Sequence, residues 1–287
     1  MCTMTWRICL IVGVLFIIGS VALAQETYDL RSQYHVGQVI VVTDTQNIAV
    51  DVPEPGIAGA AGLPAGKYHH TVTSVVRARV MEVADALPTV KRAVVTKGEV
   101  SNDAPGEPGG TVTSPLLGKV IVVTSAPGKP LSYALQNGDP VDSDEANNWF
   151  GDMGGALARA LNPRMGALKI GDEVVATPED ATVFFQEAGV KDATFKAKLV
   201  EVTGPADEQV ARLDFVATAN VPMGTDVNMA ASLTGKCLFS LARKHPDSFE
   251  GEGKMRVAAV DKDGKETGPV GEGTLVGKTV YADAPEK

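Results

Sequence analysis

The sequence predicts a mainly β protein: a curved antiparallel sheet or incomplete barrel built from two related halves, with one amphipathic helix packed on its concave side. Three observations predict this. First, the stretch Ser74-Val-Val-Arg-Ala-Arg-Val-Met-Glu-Val83 returns as Ala193-Thr-Phe-Lys-Ala-Lys-Leu-Val-Glu-Val202 at an offset of 119. Both copies alternate apolar with basic residues, the period-2 signature of a half-buried strand, and both lose the alternation at Met81 and Val200. Second, two more pairs of segments follow in the same order. Tyr34 to Ile40 matches Leu168 to Val174 at an offset of 134, and Leu116 to Ile121 matches Leu233 to Leu238 at 117. Third, one clear helical stripe lies between the copies. The fall in offset from 134 to 119 places about fifteen extra residues in the first half between Ile40 and Ser74, where Pro53 to Gly66 lies.

The chain begins with the signature of a secretory signal peptide. Arg7 is a basic n-region, Ile8 to Ile18 an apolar h-region, and Ala22-Leu23-Ala24 a small-x-small cleavage site. The apolar run is short of the roughly twenty residues that a spanning helix needs, so cleavage near Ala24 and an exported, periplasmic or extracellular, mature chain are expected. No later segment approaches transmembrane length. Cleavage removes Cys2 and Cys9, leaving Cys237 as the one thiol and no internal disulfide. Aligned with Val120, Cys237 reads as a small buried hydrophobe. Cleavage also leaves 25 basic against 35 acidic residues, a balance that argues against sequence-independent nucleic-acid binding.

Gln33 to Val52 reads as extended chain punctuated by Gly37, with Val39 to Val42 favouring strand. Pro53 to Gly66, rich in proline and glycine, reads as a surface loop or an apolar lip over a ligand. Lys67 to Val83 and Leu87 to Val100 form a hairpin turning at Ala84-Asp85-Ala86, and Thr111 to Thr124 resumes strand. Ala126 to Pro130 turns before Leu131 to Leu135. The helix begins near Asp142 with capping-box spacing to Glu145 and ends at Asn162-Pro163. Ala146, Trp149, Phe150, Met153, Leu157 and Leu161 form its apolar stripe. Thr177 to Ala188 reads as a short helix or a strand. Val227 to Arg243 and Ser248 to Val260 pair, turning at Lys244 to Asp247. The organisation expected is a signal peptide over 1–24, a first β repeat over 25–141, the helix over 142–163, a second β repeat over 164–265, and a last strand and tail over 266–287. Repeats and helix form one domain.

Chemistry is sparse. His35, His69, His70 and His245 lack metal-ligand spacing, and no nucleophile elbow, phosphate loop or zinc motif is present, so no metal or cofactor is expected. Glu82 and Glu201, matched in the two copies, are the one candidate acid/base pair for a hydrolase. Otherwise they are solvated residues at strand ends, and a non-enzyme is the expectation. The order of pieces, a Leu-x-Gly-Lys strand before a turn, a central helix and a Lys-x-Gly-Asp restart at Lys169 to Asp172, resembles an uncharacterised family of bacterial exported β-rich proteins. The layout is also similar to lipoprotein-carrier half-barrels, in which a curved sheet wraps a helix and an apolar cavity. The resemblance implies no catalytic residues. It fixes no function; the expected layout itself suggests a non-catalytic exported protein that binds a lipid, another apolar ligand or an envelope protein at the concave face, with Trp149, Phe150, Met153 and Leu157 either its lining or ordinary core. The alternative is a structural or scaffold protein of the cell envelope.

Overall fold

The computed structural model describes residues 26–52, 65–106, 108–126, 129, 131–150, 153–185, 190–222, 227–261 and 265–285. The expected signal peptide over 1–24 and nearly all of the expected loop Pro53 to Gly66 lie outside them.

The strands are β1 (Val39–Val52), β2 (Gly66–Ala84), β3 (Leu87–Asp103), β4 (Gly110–Thr113), β5 (Val120–Thr124), β6 (Ser132–Leu135), β7 (Glu173–Val175), β8 (Lys191–Thr203), β9 (Val210–Pro222), β10 (Val227–Ser240), β11 (His245–Val260) and β12 (Glu266–Ala284). They form one open antiparallel sheet in the order β6-β5-β3-β2-β1-β12-β11-β10-β9-β8-β7, with β4 on the far end of β3. The edge strands β6 and β7 have four and three residues, which leaves little unpaired backbone at either end.

The two halves repeat locally down to single hydrogen bonds. The Gly37 N–H donates to Val80 O (2.9 Å) and the Val80 N–H to Gln38 O (2.9 Å). At the matched positions, Gly171 N–H donates to Leu199 O (2.7 Å) and Leu199 N–H to Asp172 O (3.0 Å). Gly37 and Gly171 both adopt positive φ, 92° and 99°, a conformation that glycine enters without a Cβ penalty. Val39 lies opposite Arg79 as Glu173 lies opposite Lys198. The loss of alternation at Met81 and Val200 is a pair of β-bulges, since register shifts between Val80 and Glu82 and again between Leu199 and Glu201.

Three expectations about the strands need correction. Leu116 to Ile121 and Leu233 to Leu238 are not structural counterparts: Val123 lies opposite Lys91 as Cys237 lies opposite Leu213, so Cys237 matches Val123 and not Val120. The expected strand Thr111 to Thr124 is interrupted after Thr113 by a turn in which the N–H groups of Leu117 and Lys119 bond to Ser114 O and Leu116 O. The β10–β11 turn lies at 241–244, earlier than expected, with Lys244 at φ 55°. The last strand is present where expected and lies at the centre of the sheet. β12 runs for 19 residues between β1 and β11 and joins the halves into one sheet. The extra residues of the first half lengthen β1 and β2, which run for 14 and 19 residues against 3 and 13 in β7 and β8, and the second half places a helix between its pair.

That helix is α3 (Pro178–Phe185), capped by Thr177, whose Oγ1 accepts from the Asp180 N–H (3.2 Å). The expected central helix is two helices, α1 (Ser143–Phe150) and α2 (Met153–Leu161). Asp142 caps the first through Oδ1 and the Glu145 N–H (3.0 Å). The stripe serves two cores. Ala146, Trp149 and Phe150 pack with Val76, Val95, Ile121 and Tyr133 of the first half. Ala156, Ala160 and Leu161 pack with Phe195, Leu199, Leu213 and Phe215 of the second. The N-terminal segment ties the helices down: Leu30 N–H donates to Met165 O (2.8 Å) and Gln33 N–H to Lys244 O (2.8 Å).

Cys237 is fully buried, and burial, aided by the Asp247 charge, pushes its thiol up to about 12. The thiolate is the reactive form. The native protein is therefore expected to resist alkylation at pH 8 and to label stoichiometrically once unfolded in guanidinium. Prompt labelling of the native state contradicts this placement.

Candidate functional site: the crevice beneath the helices

The inner face of the first half meets α1 and α2 across a narrow crevice. Ile40 and Val42 from β1, Val123 from β5 and Leu131 form its apolar wall, and Tyr34 and Tyr281 stand at its side. A contiguous hollow shares Val42, Val123 and Leu131 and reaches Phe150. The clear interiors are small, about 30 and 20 Å³, room for one or two water molecules.

Two cations line this apolar crevice: Lys91 and Arg159. Lys91 faces inward because it pairs with Val80, and the residue in its place in the second half, opposite Leu199, is the buried Leu213. Arg159 lies in a helix buried on several sides, where Ala156, Ala158, Ala160 and Leu161 are each at most 3% exposed. Its Nε and Nη2 are buried and have no hydrogen-bond partner. Buried polar groups are overwhelmingly bonded, and an unsatisfied donor costs roughly 1–3 kcal/mol, more when charged.

Of the residues predicted to line a ligand, Phe150 borders the hollow while Trp149 is packed in the first core beside Ser114 and Gly98. The side chains of Met153 and Leu157 lie outside the described residues. Sequence reading missed Lys91 and Arg159, although both leave a trace. Lys91 has the parity of the inward Ala93 and Val95, and Arg159 is the only charged residue in Met153 to Leu161. Glu82 and Glu201 are not brought together. Both are exposed, their strands are six apart in the sheet order, and Glu201 binds Arg212 (2.9 Å). At roughly 4.8 Å per strand that is about 29 Å along the sheet. Among the described residues, no group of three or more metal-ligating side chains occurs.

Behind Tyr34 a buried histidine meets an exposed carboxylate. His245, 1% exposed, stacks on Tyr34 with ring centroids 6.1 Å apart. Its Nδ1–H donates to Pro246 O (2.8 Å), and Nε2 lies 3.2 Å from Asp283 Oδ2. Burial alone raises the Asp283 carboxyl, but hydrogen bonds from Gln38 and His245 and the charges of His245 and Arg243 outweigh it and hold the group below the usual range. Such a carboxylate contributes stability above its unfolded value, near pH 3.9, and loses it as pH falls through the lowered folded value. Asp247, raised by burial against the Arg243 and His245 charges, acts in the opposite sense. Asp283→Asn is expected to be less stable than wild type in urea at pH 7, with the gap closing toward pH 3. A gap independent of pH contradicts the assignment.

The outer face carries two larger, open troughs of about 740 and 790 Å³. Charged pairs line the second: Glu250 lies between Lys236 (2.9 Å) and Lys278 (2.6 Å).

No protein-family model matches the chain, and neither does any curated protein. Among solved structures it is similar to lipovitellin, at 11% identity and TM-score 0.45 over 88% of this chain, which spans only 26% of the lipovitellin chain. An outer membrane channel from Pseudomonas putida shares 11% identity at TM-score 0.26, covering 88% of this chain and 97% of that one. A putative exported protein with a YmcC-like fold from Bacteroides fragilis shares 8% at 0.15, covering 90% and 98%.

Proposed function

We propose that the mature chain is an exported, non-catalytic protein that binds an apolar ligand at its concave face, beneath α1 and α2. The observation that carries the reading is the apolar crevice bordered by Phe150 and lined by an arginine with two unbonded buried nitrogens. A core that needed only to be filled gains nothing from that charge, whereas a binding site gains orientation from a few placed polar groups. Binding widens the crevice by moving α1 and α2 off the sheet.

The test is native mass spectrometry of the exported protein, purified without detergent and then offered a total lipid extract. A retained or acquired molecule of lipid mass is expected. A bare protein mass before and after the extract overturns the reading. A second reading, an envelope scaffold that contacts its partner through the outer face, is favoured by the size of the two troughs. It predicts a bare mass together with a co-purifying protein.

A further inference from the structure

We infer that the crevice is selective for amphiphiles with an anionic head, a carboxylate or phosphate bound by Arg159 and Lys91 with its chain along the wall toward Phe150. This rests on the proposed binding function and adds the ligand's charge class. Within a chain of formal net charge −9, the charged side chains lining the crevice are both basic, among the described residues. The guanidinium presents two donors that the protein itself leaves unbonded. Its planar fork fits two oxygens of one carboxylate or phosphate. The lysine stands where the other half of the protein has leucine, so the fold does not require a cation there. An anionic head supplies the missing acceptors in a setting of low dielectric, and the adjoining wall of Ile40, Val42, Val123 and Leu131 takes an alkyl chain.

The experiment compares the binding of dodecanoate, dodecyl phosphate, 1-dodecanol and inorganic phosphate to wild type, Arg159→Met and Lys91→Met by calorimetric titration below micelle concentrations. Wild type is expected to bind the two anionic amphiphiles about tenfold or more tightly than the alcohol, the discrimination of one charge-assisted hydrogen bond. Arg159→Met should bring the three within about threefold while still binding the alcohol, and should melt no lower than wild type because it no longer buries an unbonded charge. Lys91→Met should reduce the same preference if Arg159→Met folds poorly. Equal wild-type affinity for acid and alcohol, or a preference that survives both substitutions, overturns the head-group inference and leaves the apolar site standing. Failure of every chain compound to bind overturns both. Inorganic phosphate binding as tightly as dodecyl phosphate overturns the amphiphile, because the chain then contributes nothing.

Discussion

Gly235→Ala is expected to destabilise the protein by about 3 kcal/mol or more, read from urea unfolding at pH 7. Gly235 in β10 faces Gly251 in β11, which faces Gly277 in β12, so a row of glycines crosses the sheet at its inner face. A Cβ on Gly235 would stand 2.1 Å from Glu250 O, 2.7 Å from Gly251 Cα and 2.6 Å from Phe215 Cζ. Two of these are backbone atoms fixed by the β10–β11 ladder, and the third belongs to a fully packed ring. Phe215 lies between Phe195 and Phe249, with centroids 5.9 and 4.3 Å away, and its ring occupies the space that the glycines leave. No neighbour can give way without breaking either the ladder or the stack. Gly110→Ala is the control: its Cβ meets nothing within 4 Å, and a change within about 0.5 kcal/mol is expected. A tolerated Gly235→Ala contradicts the register of β10 on β11.

Trp149→Ala is expected to cost about 3–5 kcal/mol, the usual loss for a large aromatic removed from a packed core. Trp149 is 4% exposed and closes the first core over β2 and β3. Gly98 is small for its sake, since a Cβ there would meet Trp149 Cε3 at 3.0 Å and Ser114 Cβ at 2.7 Å. If Trp149 served chiefly as ligand lining, its removal would cost little stability in the absence of ligand. A loss below about 1 kcal/mol in the ligand-free protein therefore contradicts its placement as core.

Much of the architecture was legible because its signals are local. Basic and apolar alternation fixed the faces of β2 and β8, and its failure at Met81 and Val200 marked two bulges that the hydrogen-bond registers bear out. Gly37 and Gly171 stood out because only a turn with positive φ requires them there. The Asp142 cap was readable from spacing alone. What escaped depends on partners distant in sequence. Nothing near Glu266 to Ala284 reveals that this strand pairs with β1, more than two hundred residues away, and thereby joins the halves. The Leu116 and Leu233 segments look alike but sit three residues out of register, because a turn at Gly118 replaces continuous strand. The helical stripe gave Ala146, Trp149, Phe150 and Leu161 as buried positions but the wrong unity: periodicity reports a buried face, not which of two cores receives each side chain. Of the candidate site, Phe150 was visible as an apolar position. Arg159 and Lys91 were not, because a charge on a helix or strand is ordinarily solvated, and only packing on several sides of α2 makes this arginine unusual.

The most direct measurement of ligand binding beneath the helices uses Trp149 itself. The sequence has two tryptophans, Trp6 in the expected signal peptide and Trp149, so in protein made from Gln25 onward Trp149 is the sole reporter, beside the Phe150 that borders the crevice. Titration with a fatty acid brominated along its chain should quench this fluorescence saturably at one equivalent, and the unbrominated acid should restore it by competition. Fluorescence that stays constant, or that falls linearly without saturation or competition, contradicts a binding site at the concave face.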